Sequence, residues 1–355
     1  MIKNLNAGIM PHMNNALVVE PKLCSLCGGS AKCTFQNMAG YVEGSSYDVY
    51  ECSNCLTSFI DMKKDLNEEY NIIYGTDPTK DAGYNYYLYL AKASKQLRNP
   101  LEDFGNFSAV FWGVVKALKD EKIEKGAKIL EIGSGLGYLT HALNKAGYIC
   151  EGLEYSDTAV EFAKNFFNGK HTRGTIEYVS ETHKEKYDVV VATEVIEHVI
   201  DPNAFVENIL KVLKPGGKLI LTTPIKDIHP KGTIWETEPA PVHLWWFTEK
   251  GIESIANRFN ATTSFVDFTD YTKNKVWHVH LGTSGVTPMV GPLVKKDGKP
   301  MVEKKGVRTR LMEILPAWLY VKMVIFYHNF KFLQRNKSSS RYMYGMCAVV
   351  TKKYV

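Results

Sequence analysis

The chain has 355 residues, 45% hydrophobic and 23% charged. That is ordinary globular composition, which excludes a fibrous or wholly disordered protein and allows two or three structural units. The net charge of +5 is uneven: residues 291–355 hold 14 Lys and Arg against 3 Asp and Glu, net +11, leaving −6 on residues 1–290, so an anionic partner is expected only near the C-terminal part.

The opening residues MIKNLNAG show no basic cluster followed by a sustained apolar stretch, so no cleavable signal is expected and the protein is read as cytoplasmic. Seven cysteines are present, four of them in two C-x-x-C pairs, and an odd count in such a chain argues for metal rather than disulfides. Cys24, Cys27, Cys52 and Cys55 have the spacing C-x2-C-x24-C-x2-C. Two knuckles joined by a hairpin place four thiolates at the corners of a tetrahedron, a closed structural zinc site with no open coordination position. The alternation at 47–52 suits a hairpin arm, and Gly28-Gly29 allows a tight turn after the first knuckle. Residues 1–70 are therefore read as a zinc ribbon. Residues 1–75 carry 5 Lys against 8 Asp and Glu, a poor match to nucleic acid.

Residues 71–125 read as a helical lead-in rich in tyrosine. The spacing at 107–125 predicts one helix with Val110, Phe111, Val114, Val115 and Leu118 on one face. Strands are then expected at 128–132, 148–154, 188–192, 218–223 and 262–268. Helices are expected at 138–146, 157–167, 202–213 and 248–259, with Ser156 or Asp157 and Thr248 as caps. A third strand is placed at 175–181. This βαβα order predicts a mostly parallel sheet covered on both faces over residues 126–270. Residues 271–341 interrupt the pattern as a basic insertion or lid, and 342–355 supply the last strand. The apolar stretch 314–334 is broken by Lys322, His328 and Lys331, so it does not read as a membrane span, though it suits a peripheral contact.

The strongest chemical signal is Glu131-Ile132-Gly133-Ser134-Gly135-Leu136-Gly137, where a strand ends and a helix begins. Glycines there let a ligand approach the backbone closely. An acid just before them suits a cationic ligand rather than a pyrophosphate. Glu154, ending the next strand, can accept both hydroxyls of a ribose.

The set ILEIGSGLGYLT, EGLEYS, DVVVATEVIEHVIDP and LKPGGKLILTTP resembles class I S-adenosylmethionine (SAM)-dependent methyltransferases. It is most similar to the branch of ubiquinone-biosynthesis O-methyltransferases and many sugar and natural-product methyltransferases. The resemblance implies an α/β Rossmann-like sheet with the ribbon before it and the insertion ahead of its last strand. It implies that Glu131, Gly133, Ser134, Gly135 and Gly137 line the methionine part of the cofactor and Glu154 holds the ribose. Tyr155 would lie beside the adenine, and Thr193 and Glu194 would flank the methionine moiety of the cofactor and the substrate mouth. A ribbon with trailing tyrosines, here Tyr70 and Tyr74, is similar to sugar methyltransferases of surface-polysaccharide and antibiotic pathways, where it covers the substrate cleft.

Methylating a hydroxyl requires removal of a proton. His243, between prolines and a Trp-Trp pair beyond the fifth strand, is the first candidate base; His198 is the second and His229 the third. Related sugar C-methyltransferases carry an acid-histidine pair where this chain has Val242-His243, and they carry a further C-terminal domain; both departures favour O-methylation. The expected acceptor is a small molecule or glycan intermediate, nucleotide-linked or lipid-linked. An RNA methyltransferase with an N-terminal zinc module is the alternative, which the acidic ribbon argues against.

Overall fold

The computed structural model describes residues 22–61, 66–74, 84–229, 239–274, 292–301, 314–332, 341–343 and 345–354. The cysteine region forms an antiparallel meander of β1 (Lys22–Leu23), β2 (Ser30–Ala39), β3 (Ser46–Cys52) and β4 (Ser58–Ile60). Gly28, at φ +74°, makes the turn after the first knuckle, in the left-handed region that a side chain disfavours.

Helices α1 (Asn67–Tyr74), α2 (Tyr84–Gln96), α3 (Pro100–Phe107) and α4 (Ala109–Asp120) follow. The helix expected over 107–125 is α4, which starts at Ala109 after Ser108, whose extended backbone separates it from α3, and ends at Asp120. Burial explains this separation. It folds α3 back along α4 with Gly105 against Val115, and brings Phe104 within 5.4 Å of Phe111, both rings edge-on to Tyr138. A straight helix could not bury both aromatic groups on one side.

The chain then alternates through β5 (Lys128–Ile132), α5 (Tyr138–Lys145), β6 (Ile149–Glu154), α6 (Asp157–Phe167), β7 (His171–Arg173), α7 (Ile176–Thr182), β8 (Tyr187–Thr193), α8 (Pro202–Val212) and β9 (Leu213–Pro224). After β10 (Trp245–Trp246) come α9 (Glu249–Arg258), β11 (Thr262–Phe265), α10 (Thr269–Asn274), α11 (Ala317–Phe332) and β12 (Gly345–Thr351). The helix starts follow capping chemistry. Ser156 accepts from Ala159 N–H, Asp201 from Asn203 and Ala204 with Pro202 at the first helical position, and Thr248 from Gly251. The third strand lies at His171–Arg173, not at 175–181, where α7 stands. Gly174 separates them, and Ile176 and Val179 take helical spacing to bury on α8.

The sheet has seven strands in the order β11-β12-β9-β8-β5-β6-β7, with β12 antiparallel to both its neighbours. Strands β5 to β9 are parallel. The chain enters at β5, moves outward through β6 and β7, then returns to the other side of β5 as β8. The crevice at the carboxyl ends of β5 and β8 is where α/β sheets bind ligands.

The ribbon and this sheet are not separable. β10 pairs with β4, Trp245 opposite Phe59 and Trp246 opposite Ser58, so the ribbon sheet gains a fifth strand from the α/β part. The buried Lys226 ammonium joins them, donating to Glu51 at 2.5 Å, Leu56 O at 2.7 Å and Ser58 Oγ at 2.7 Å. One apolar cluster runs from Leu26 and Phe59 to Ile132 and Leu221. The 271–341 segment divides. Residues 292–301 lie on the ribbon, Leu293 N–H donating to Tyr41 O at 2.8 Å, whereas α11 packs on α2 and α3.

Candidate cofactor and catalytic site

The loop after β5 is shaped by Gly133, Gly135 and Gly137, with φ of +69°, +48° and +77°. A Cβ on Gly135 would meet nothing within 4 Å, so this glycine faces open space, the room a ligand needs. Gly137 is a glycine for packing: a Cβ there would stand 2.6 Å from His171 and 2.9 Å from Ala163. The Ser134 hydroxyl turns inward, toward Gly152 of β6, and its N–H donates to Leu153 O at 3.1 Å, so this residue shapes the loop.

Two carboxyl groups bracket the loop. Glu154 is clamped, accepting from Gly135 N–H and Ser156 N–H, each at 2.9 Å. Glu131 is buried at the end of β5 and accepts from Thr140 Oγ1. Burial pushes its carboxyl up to about 8, with Glu154 adding to the rise against the Thr140 hydrogen bonds. A buried acid held above neutrality favours a cationic guest that would make its ionised form the stable one. Tyr155, just past β6, is 71% exposed. These features fit a SAM molecule with its amino group toward Glu131 and its ribose toward Glu154. Sequence reasoning missed Thr140, which sits in the first turn of α5 and whose only signal was a hydroxyl nine residues after the acid.

Cofactor affinity should therefore rise with pH toward about 8, because binding a cation at Glu131 expels a proton. Calorimetry in buffers of different ionisation enthalpy should show about one proton released near pH 7. In Glu131→Gln both the proton release and the pH dependence should vanish; their persistence would place the cation elsewhere.

At the end of β8, Thr193 is followed by Glu194 with φ +55°, a left-handed conformation costly for a residue with a Cβ. Its N–H donates to Thr222 O on β9 at 3.0 Å. The 3-10 turn Ile196–His198 then brings Glu197 and His198 over β9. Glu197 is buried and accepts from Thr223 Oγ1 at 2.9 Å. The structure places His243 beside them: the His198 and His243 rings meet edge-on at 4.9 Å, and ligand atoms of Glu197, His198 and His243 lie within 4.8 Å of one another. His198 Nδ1 is 2.6 Å from Val242 O, which fixes Nδ1 as the protonated nitrogen and leaves Nε2 facing Glu197. Burial, then His198, pushes the His243 imidazole down to about 3. His229, after β9, bonds to Lys226 O through its backbone and is not part of this cluster.

In the ribbon, Cys24 Sγ lies 3.8 Å from Cys55 Sγ and Cys27 Sγ 3.4 Å from Cys52 Sγ, all four within 4.8 Å of one another. Zinc–thiolate bonds of ~2.3 Å at tetrahedral angles require sulfurs about 3.8 Å apart, so the donor set fits that ion. Cys33 is exposed, and Cys150 and Cys347 are buried elsewhere, outside the cluster.

Residues 108–263 match the family profile described as a methyltransferase domain. The strand order and the glycine loop agree with that match over the α/β part, which a four-cysteine cluster precedes. Its curated relatives include the ubiquinone biosynthesis O-methyltransferase of Coxiella burnetii, 32% identical over 114 residues that cover 31% of this chain and 48% of the relative. The human mitochondrial ubiquinone biosynthesis O-methyltransferase is 36% identical over 144 residues, 34% of this chain and 39% of that one. The chain spans about half the length of the curated relatives it matches. A SAM-dependent methyltransferase from Archaeoglobus fulgidus is similar in structure at a TM-score of 0.38 and 14% identity, covering 67% of this chain and 93% of that one. Among the described residues no helix is long and apolar enough to cross a membrane.

Proposed function

We propose that the protein is a SAM-dependent O-methyltransferase acting on a hydroxyl of a sugar or glycan intermediate, with His243 as proton acceptor and a structural zinc in the ribbon. The observation that carries this reading is the Glu197–His198–His243 cluster past the carboxyl end of β8, in a turn whose preceding residue, Val195, packs on Gly133 of the glycine loop. Bound SAM supplies an activated methyl group on a sulfonium. Gly133, Gly135 and Glu154 would hold the cofactor, and Glu131 would meet its amino group. Thr193 and Glu194 would border the acceptor. With an activated methyl donor bound, the acceptor's hydroxyl would pass its proton to His243 as its oxygen takes the methyl group and the sulfonium becomes a neutral thioether; burial keeps this imidazole neutral at working pH but also disfavours its charged form. The Glu197 carboxyl, within 4.8 Å of it, would offset that charge. Cys24, Cys27, Cys52 and Cys55 would hold zinc, and a closed four-thiolate site contributes folding energy rather than chemistry.

The test is transfer of a labelled methyl group from SAM to separated pools of nucleotide-sugars, lipid-linked glycans and RNA. Label in an alkali-stable ether on a sugar is the expected result. Label in RNA would replace this reading with the nucleic-acid alternative.

A further inference from the structure

Helix α11 (Ala317–Phe332) is apolar on both sides. Its inner side, with Ala317, Tyr320 and Val321, is buried against α2 and α3. The Tyr89 hydroxyl pins its start, donating to Leu315 O at 3.1 Å. Its outer side presents Trp318, Met323, Phe326 and Tyr327, which are 44%, 47%, 70% and 43% exposed. The one charged group among the described side chains of that stripe, Lys322, reaches sideways to Asp103 at 2.5 Å. A helix surface facing water is normally polar, and a contiguous aromatic stripe marks a contact surface.

We propose that this face docks on an anionic lipid surface, with α11 lying in the plane of the interface. Three observations favour that occupant. The side chains are of interfacial type, Trp and Tyr beside Phe and Met. The part of the chain that carries α11 is basic, 9 Lys and Arg against 2 Asp and Glu over residues 302–341, net +7, which leaves −2 on the remainder. The stripe is also small: from Trp318 to Tyr327 it spans about 14 Å at helical rise, whereas a stable dimer needs about 800 Å² and 20–30 residues from each partner. Shallow insertion of a few aromatic side chains, reinforced by charge, needs no such area. The inference does not depend on methyl transfer. If both hold, α11 sets the helices packed on α5, and with them the cofactor crevice, close to the membrane surface.

Co-sedimentation of the full chain with vesicles of phosphatidylcholine alone and with phosphatidylglycerol added tests it. The protein should pellet with the anionic vesicles, weakly with the neutral ones, and progressively less as salt rises. Phe326→Glu should lower vesicle binding about tenfold or more, and Phe326→Leu much less. SAM affinity and zinc content should be unchanged in both variants, which shows that they fold. Wild-type protein left in the supernatant with anionic vesicles, or Phe326→Glu binding as well as wild type, overturns the proposal. So does light scattering that finds a wild-type dimer dissociated by Phe326→Glu, which would make a second copy the occupant. None of these results bears on methyl transfer to a soluble acceptor.

Discussion

Replacing His243 with alanine is expected to lower kcat by about 10²–10⁴-fold while SAM affinity stays near wild type. The imidazole is buried in an apolar turn between β9 and β10 and packed edge-on against His198. Burial and that neighbour put its protonation near pH 3, far below the ordinary histidine value of about 6.5. Its own titration therefore lies below the working range, and the rate should not show a rise with pH due to His243 between about pH 5 and 8. The same shift has a stability consequence of known sign. Between about 6.5 and 3 the unfolded chain binds a proton that the folded chain refuses, so stability falls as pH drops through that window, by up to about 1.4 kcal/mol per pH unit. Above it the group contributes nothing. His243→Ala should lose part of this acid sensitivity, so its melting temperature should fall less than wild type's between pH 7 and pH 5. If His198→Ala collapses kcat while His243→Ala remains active, the two roles are exchanged. If neither does, catalysis rests on positioning alone.

Cys52→Ser is expected to abolish metal binding, taking zinc from about one ion per chain to none, and to remove most activity with it. Structural zinc contributes on the order of 10 kcal/mol to isolated fingers, and a region this short has little core of its own without it. Here the loss should spread. β4 pairs with β10, and Thr248 Oγ1 donates to Cys55 O at 2.5 Å, so a melted ribbon releases the segment that carries His243. SAM binding should persist, because the loop after β5 is anchored on β6: Gly133 N–H donates to Leu153 O at 2.9 Å. Metal analysis, calorimetric SAM binding and thermal unfolding read the three consequences separately. Cys33→Ser is the control, since its thiol is exposed and outside the cluster. Stoichiometric zinc retained by Cys52→Ser would show that the four sulfurs do not form one site.

The α/β order, the glycine loop and the four cysteines were legible because each is a local pattern. Strand and helix periods, turn glycines and C-x-x-C spacing declare themselves within a few residues. Where several weak signals competed, the reading failed. The strand expected at 175–181 is β7 at His171–Arg173, because three residues carry too little alternation to be seen and the following Ile176 and Val179 fit either period. The helix expected at 107–125 is α4, whereas α3 just ahead of it, folded back at Ser108 so that Phe104 packs on Phe111, was not read, because that packing is tertiary.

By itself, then, the sequence determined the class of sheet, the position of the glycine loop with Glu131 and Glu154 beside it, and which four cysteines cluster. Tertiary structure alone decided that Glu197 joins His198 and His243, and that the ribbon completes its sheet with Trp245–Trp246. The reason is distance along the chain. Backbone propensity and patterning act over a few residues, whereas Glu197 follows β8 and His243 lies far along the chain, just before β10. A hydrogen bond from Leu244 N–H to Glu197 O at 2.9 Å sets the two turns side by side.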